Sequence, residues 1–195
     1  KPDEDNDRMW YGREAEDLVA KLYARRHPGT VFKKVNAVIG HLTIPWLTAS
    51  PDFLIGNGEY WNDLLEAKTT SFRAAEDWGD DKAPDYAHAQ LITQMAVTNV
   101  LDGICGVIIG GDVGRSYFPR FSWSQEFWDQ IFPALEQFYS HMINGTPPDV
   151  RDGDMETINK IFPAKDTEID LTGSEQVAAL VREYEILDTA VRAQN

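Results

Sequence analysis

From Gly12 to about His27, apolar residues recur at helical spacing, with Ala15, Leu18, Val19, Leu22 and Tyr23 along one side and Pro28-Gly29 as the stop. The period then shortens. Residues 31–39 and 41–47 read as strands, and a hairpin follows: Pro51-Asp52-Phe53-Leu54-Ile55, a turn region around Gly56-Asn57-Gly58, then Leu64-Leu65-Glu66-Ala67-Lys68. Residues 69–82 are polar and irregular, a loop beside the hairpin. Pro84, suited to a first helical turn, opens a helix running to about Leu101. Residues 104–109 and 116–121 read as strands joined through glycine turns. Ser122-x-x-Gln125 has the form of a capping box and starts a helix ending at Asn144-Gly145. A loop through Thr146-Pro147-Pro148 and Arg151-Asp152-Gly153 leads to a short helix reaching Pro163. Thr172-x-x-Glu175 caps a last helix with Val177, Leu180, Val181, Tyr184, Leu187 and Val191 on one side. Strands interleaved with helices predict an α/β fold, a central mixed sheet flanked by helices. The last helix is a C-terminal extension that packs on the body or protrudes from it.

The hairpin carries the chemistry. Side chains alternate along a strand, so Glu66 and Lys68 share one face while Leu65 and Ala67 point to the other. Register decides what joins them. A bare two-residue turn at Asn57-Gly58 would set Asp52 against Asp63. Placing Asp52 opposite Glu66 needs a longer or bulged loop centred near Glu59. In that register two carboxylates meet where a hard cation such as Mg2+ would sit, with Lys68 beside it to orient a water or stabilise phosphate charge. The plainer alternative is an ordinary hairpin with a Glu–Lys pair worth a few tenths of a kcal/mol. Pro-Asp also occurs at Pro2, Pro84 and Pro148, and Asp80-Asp81-Lys82 fits acid-x-Lys, but none of these lies in a strand-like apolar run.

Composition bounds the reading. A chain of 195 residues, 43% of them hydrophobic, is about one domain with a real core. It has no run near the ~20 apolar residues of a membrane helix and no charged-then-apolar leader, and its lone Cys105 excludes a disulfide framework and a cysteine-rich zinc site. Cys105 sits in an apolar run, and a reducing cytoplasm is expected. The net charge of −14 opposes general nucleic-acid affinity. Its distribution qualifies that: residues 121–195 hold 14 acids against 5 Lys or Arg, whereas 19–58 hold five basic residues against Asp52 alone. A DNA-facing side and an acidic outer side are compatible with these counts.

Further candidates lie on the helices. Glu16 is the third acid, at the rim of the first apolar stripe, while Glu14 neighbours Asp17, Lys21 and Arg25 in a solvated ladder. Gln90 and Gln94 are one turn apart, in line with Tyr86, Val97 and Leu101. An amide at a metal site can hold a water or a phosphate oxygen without adding negative charge, although a polar helix face is the commoner role. The four histidines lack metal-ligand spacing, and neither a nucleophilic triad nor a phosphate-binding glycine loop is present.

The order of these residues resembles a known family. Gly12-x-x-x-Glu16 on a helix ending in Tyr23, Ala49-Ser50-Pro51-Asp52, Leu65-Glu66-Ala67-Lys68, then Gln90 followed by Met95-Ala96-Val97-Thr98 is similar to the YqaJ and lambda exonuclease family of phage recombination nucleases. Phe127-Trp128, Gly145-Thr146-Pro147-Pro148, Asp152-Gly153 and the capped last helix extend the likeness over nearly the whole chain. The resemblance implies a restriction-endonuclease-like PD-(D/E)XK core over residues 9–163, with a linker and helix over 164–195. It implies a 5′-to-3′ exonuclease on linear double-stranded DNA using one or two Mg2+ ions, with Mn2+ as a substitute. Asp52, Glu66, the Ala67 carbonyl and Glu16 would hold metal, Lys68 would position the water, and Gln90 would support it. Arg13, Lys33, Lys34, Arg73 and Gln94 are the expected DNA contacts. Partners implied are DNA ends, a single-strand annealing protein and further copies of the chain in a trimer. Family members carry a basic upstream segment, and here eleven residues precede Gly12, leaving Arg8 and Arg13 as candidates for a 5′-phosphate pocket. The rival readings are a RecB-like nuclease or endonuclease of the same fold, and a non-catalytic interaction module.

Overall fold

The structure is a computed structural model and describes residues 6–149, 154 and 173–192. The chain divides into two compact units, Lys1–Pro147 and Pro148–Asn195. The first unit opens with helix α1 (Asp7–Arg26), whose N-cap Asn6 accepts from the amides of Arg8 and Met9. Six strands form its main sheet: β1 (Val31–Lys34), β4 (Phe53–Gly56), β5 (Trp61–Thr70), β6 (Asp102–Ile109) and β7 (Asp112–Tyr117) in that order, with β8 (Arg120–Ser122) also on β6. Strands β2 (Ile39–Gly40) and β3 (Thr48–Ala49) form a separate small ladder. All main-sheet pairs are antiparallel except β5 with β6, which is parallel. A parallel pair needs a crossover, supplied here by a 3-10 segment (Phe72–Asp77) and helix α2 (Asp85–Thr98). Helix α3 (Gln125–Asn144) follows the sheet.

The sheet has two buried faces. Phe53, Ile55, Leu65 and Ile104 pack with Ala20 of α1 on one, and Leu64, Cys105 and Val107 pack with Leu91, Ile92 and Met95 of α2 on the other. Two glycines of β6 let the helices close in. A Cβ at Gly103 would lie 2.7 Å from Leu91 of α2, and one at Gly106 would lie 2.7 Å from Val19 of α1. β5 therefore runs through the middle with a helix on each side.

Several expected elements take a different form. Residues 31–39 are not one strand: β1 ends at Lys34, where Val35 N donates to Asp52 O at 2.9 Å, and pairing resumes only at Ile39. Residues 41–47 form a turn, because His41 Nδ1 accepts from the amides of Thr43 and Ile44, both at 3.2 Å, and Pro45 has no N–H to donate. The strand expected at 116–121 is β7 and β8 broken at Phe118-Pro119, again where proline removes a ladder donor. Helix α2 stops at Thr98, closed by Asn99 in the left-handed region, short of Leu101. The cap of α3 is Ser124, which accepts from Phe127 N at 3.2 Å, since Ser122 is held in β8 and donates to Asp102.

In the second unit, helix α4 (Glu175–Arg192) starts after Ser174, whose Oγ accepts from Val177 N at 3.4 Å. Leu180, Val181 and Tyr184 on it are exposed. The Thr172 cap, the short helix to Pro163 and the boundary expected at 163–164 fall outside the described residues. No described helix is long and apolar enough to cross a membrane.

Candidate active site

The β4–β5 register places the hairpin acids together. Phe53 faces Leu65 and Leu54 faces Leu64, so Asp52, one step earlier, lies opposite Glu66. The loop that allows this is bulged, with Asn57 Oδ1 accepting from the amides of Glu59 and Tyr60 at 3.0 and 2.9 Å. Asp52 Oδ2 accepts from Ala67 N at 2.8 Å, fixing the carboxyl at the start of β4 against the middle of β5. Asp52, Glu66, Ala67, Lys68 and Glu16 border one cavity of about 370 Å³, with Gly12 and Arg13 of α1 on its rim.

Glu66 is almost fully buried, 2% exposed, and both its oxygens are engaged. Lys68 Nζ donates to Oε1 at 2.6 Å, and Gln94 Nε2 donates to Oε2 at 2.6 Å. Lys68 Nζ also donates to Gln90 Oε1 at 2.8 Å. The match of β5 to α2 has a geometric cause. Two residues of strand advance about 6.7 Å and four of helix about 6 Å, so Glu66 and Lys68 step in phase with Gln94 and Gln90.

Asp52 bears the electrostatic imbalance of the site. Burial and the neighbouring charge of Glu66 push its carboxyl up to about 7, with Glu16 adding to the rise, while the Ala67 N–H and Lys68 pull the other way. The available donors are all oxygen, the set a hard divalent cation prefers. Among the described residues no group of three or more acid, His or Cys ligands is already drawn together. The reason is visible in the pairing: Glu16 reaches Lys34 at 3.2 Å, and Glu66 is held by Lys68 and Gln94. A crowded carboxyl pair with one oxygen-rich cavity between it and Glu16 fits such a cation.

The structure redistributes the expected DNA contacts. Gln94 is 2% exposed and committed to Glu66, so it positions an acid and does not face a backbone. Its signal was its one-turn offset from Gln90 on the same helix face. Lys34 is bound between Glu16 and Asp17, both at 3.2 Å, as their counter-ion. Lys33 is exposed on the opposite face of β1. Arg13 lies at the rim of the acidic cavity, and Arg73 lies elsewhere, in a second cavity of about 590 Å³ with Arg8 and Tyr11. That cavity was not legible from sequence. Its floor is the β6–β7 turn, where Gly110 has φ +62° and any Cβ would lie 2.3 Å from the Phe72 ring.

Gln94→Leu is expected to cost about 1–3 kcal/mol, because Glu66 Oε2 would be left buried without a donor. Gln90→Leu, at an exposed position, should cost about 0.5 kcal/mol or less. Urea unfolding of the two variants checks the difference.

Three comparisons bear on this arrangement. The family model of the YqaJ-like viral recombinase domain matches residues 1–100. The chain belongs to the YqaJ-like viral recombinase domain family. Within that family, the chain is 27% identical over 151 residues to an uncharacterised protein, YqaJ, of Bacillus subtilis. The match takes in 74% of this chain and 44% of that relative, so the chain spans less than half the length of the curated YqaJ protein it matches. Among solved structures, this YqaJ-like chain shares its fold with an alkaline exonuclease, LHK-Exo, of Laribacter hongkongensis: TM-score 0.58 at 20% identity over 83% of this chain and 78% of that one. LHK-Exo in complex with dAMP gives TM-score 0.60 at 20% identity over 82% and 76%.

Proposed function

We propose that this protein is a Mg2+-dependent exonuclease that hydrolyses linear double-stranded DNA from the 5′ end, on a PD-(D/E)XK core. One observation carries the reading: Asp52, just before β4, and Glu66 and Lys68 of β5 converge on a single cavity, with Glu16 of α1 as its far wall. The exonuclease activity named for LHK-Exo, and its complex with a deoxynucleoside monophosphate, agree with this chemistry.

Asp52, Glu66, the Ala67 carbonyl and Glu16 would hold the ion, one or two in number, with Mn2+ able to replace Mg2+. When bound, the ion supplies positive charge to the phosphate and acidifies a water for in-line attack. The remaining work belongs to the chain. Lys68, steadied by Gln90, holds the attacking water and offsets charge on the phosphate oxygens. Gln94 keeps Glu66 in its rotamer. Arg13 offers positive charge at the cavity rim.

The cavity of about 590 Å³ beyond Thr69 supports the 5′ polarity. Arg8, Arg73 and the backbone of Gly110-Gly111 surround it, an anion-suited lining in an otherwise acidic chain. In this reading the 5′-terminal phosphate enters there and the scissile phosphate lies over Lys68. Cytoplasmic action on DNA ends, a ring of three copies and hand-over of single strands to an annealing protein complete the proposal.

The test uses end-labelled linear duplexes with 5′-phosphate or 5′-hydroxyl ends, and a closed circular plasmid, each with Mg2+. Mononucleotides should be released from 5′-phosphorylated ends, more slowly from 5′-hydroxyl ends, and the circle should survive. Cutting of the circle would convert the assignment to an endonuclease. If no substrate is cleaved and Mn2+ produces no heat in a calorimetric titration, the non-catalytic module replaces it.

A further inference from the structure

A third cavity adjoins the site, and its lining differs in kind from the other two. It has a volume of about 640 Å³, within the usual 300–1,000 Å³ range of small-molecule sites, and lies between α2, α3 and residues 48–50. Among the described residues, nothing bordering it carries a charge. Its walls are Ala49, Ala89, Ile131, Ala134 and Leu135, and the polar groups among them are amides and hydroxyls, from Gln90, Gln94, Gln130, Thr48, Ser50 and Thr93. Tyr86, 61% exposed, also borders it. Two of the bordering residues also touch the catalytic groups: Gln90 accepts from Lys68, and Gln94 donates to Glu66. Gln94 brings a second, independent feature. Its Oε1 is buried and has no hydrogen-bond partner among the described residues, an acceptor lacking an N–H donor.

We propose that this cavity is a nucleobase site, which takes one base of the cleaved strand out of the stack beside the scissile phosphate. The proposal rests on the nuclease reading and adds the part of the substrate that reading leaves unplaced. An uncharged lining rejects phosphate, which the two arginines of the neighbouring cavity suit. A base is flat, apolar on its faces and amide-like at its edge, the chemistry this lining matches. Its exocyclic amino or ring N–H meets the accessible amide and hydroxyls of Gln130, Ser50 and Thr93, and Tyr86 provides a stacking face at the mouth. The occupant is also within reach, since a single amide separates the cavity from Glu66 and another separates it from Lys68. Because Gln94 holds Glu66 and borders the base, a seated base steadies the acid that cleavage uses. Cleavage therefore senses whether a base is present.

The test compares single-turnover cleavage of two linear duplexes that differ only in an abasic nucleotide next to the scissile phosphate. The protein should cut the intact duplex about tenfold faster or more, the scale of one lost base-stacking contact. Ala134→Trp, which fills the cavity from an exposed helix position, and Tyr86→Ala should each bring that ratio towards one. Equal rates on the two duplexes, or an unchanged ratio in both variants, would overturn the proposal while leaving the nuclease reading intact. If the protein cleaves nothing, a second measurement decides the cavity separately. Deoxyadenosine is titrated into protein carrying labelled alanine, isoleucine and leucine methyls. Shifts at Ala89, Ile131 and Leu135 that vanish in Ala134→Trp would support a base site, and their absence would reject it.

Discussion

Glu66→Gln is expected to lower DNA hydrolysis by a factor on the order of 10³ or more while the protein stays folded. Glutamine fills the same buried volume, and its carbonyl still accepts from Gln94. The lost negative charge, however, leaves Lys68 Nζ facing an N–H2 group in place of the Oε1 it holds at 2.6 Å. The acid that would bind the cation is also gone. Asp52→Asn and Lys68→Met should act comparably, by removing the second acid and the ammonium proposed to hold the water. Glu66→Ala is different in kind. It strips acceptors from both Lys68 and the buried Gln94 amide, and should cost about 3 kcal/mol of stability in addition. Single-turnover rates for the four variants, each with its urea midpoint, separate chemistry from folding. Hydrolysis that persists in Asp52→Asn, Glu66→Gln and Lys68→Met alike would remove these residues from the mechanism.

Without metal, the protein should lose stability as pH rises through neutrality. The folded chain holds the Asp52 proton up to about pH 7, against 3.8 for an ordinary aspartate, owing first to burial and then to the Glu66 charge. A group with a raised folded pKa contributes stability that is fully present below its unfolded value and vanishes as pH climbs through the folded one. Between pH 5.5 and 8.5 the loss amounts to about 2 kcal/mol. In EDTA this is a fall in Tm of about 4–8 °C for a chain of this size. His88 works in the opposite sense. It is stacked between Phe121 and Phe127, with ring centroids at 4.2 and 4.3 Å, and burial lowers its pKa, so its contribution fades as pH falls. The difference between the wild type and Asp52→Asn cancels that term and isolates the carboxyl. Mg2+ should add more stability at the alkaline end, because a bound cation favours ionised Asp52 and expels its proton. A wild-type profile in EDTA that runs parallel to that of Asp52→Asn would refute the account.

These expectations depend on features of unequal visibility in the chain. Alternation along β5, a local property, puts Glu66 and Lys68 on one face. The helical stripes of α1 and α2 and the α/β order of elements are local in the same way. The register was not local: the hairpin admitted a tight turn at Asn57-Gly58 or a loop centred near Glu59, and the strand pairing adopts the second. Proline defeated the pattern where it looked most strand-like, at residues 41–47 and 116–121. Apolar spacing does not register a missing ladder donor, nor a histidine ring accepting two amides.

By itself, the sequence determined which residues share a face of α1, α2 and β5, because the 2.0 and 3.6 periods are properties of the backbone. Only the tertiary structure decided which oxygen meets which donor. Gln94 turns inward to Glu66 across 28 positions, and Lys34 turns to Glu16 and Asp17 instead of outward. Such pairings follow from how α2 and α1 pack on the two faces of the sheet, and the energy that selects them belongs to contacts between segments far apart in the chain. The uncharged cavity beside Gln90 arises in the same way, as a hollow bordered by α2, α3 and residues 48–50, and no single segment carries its outline.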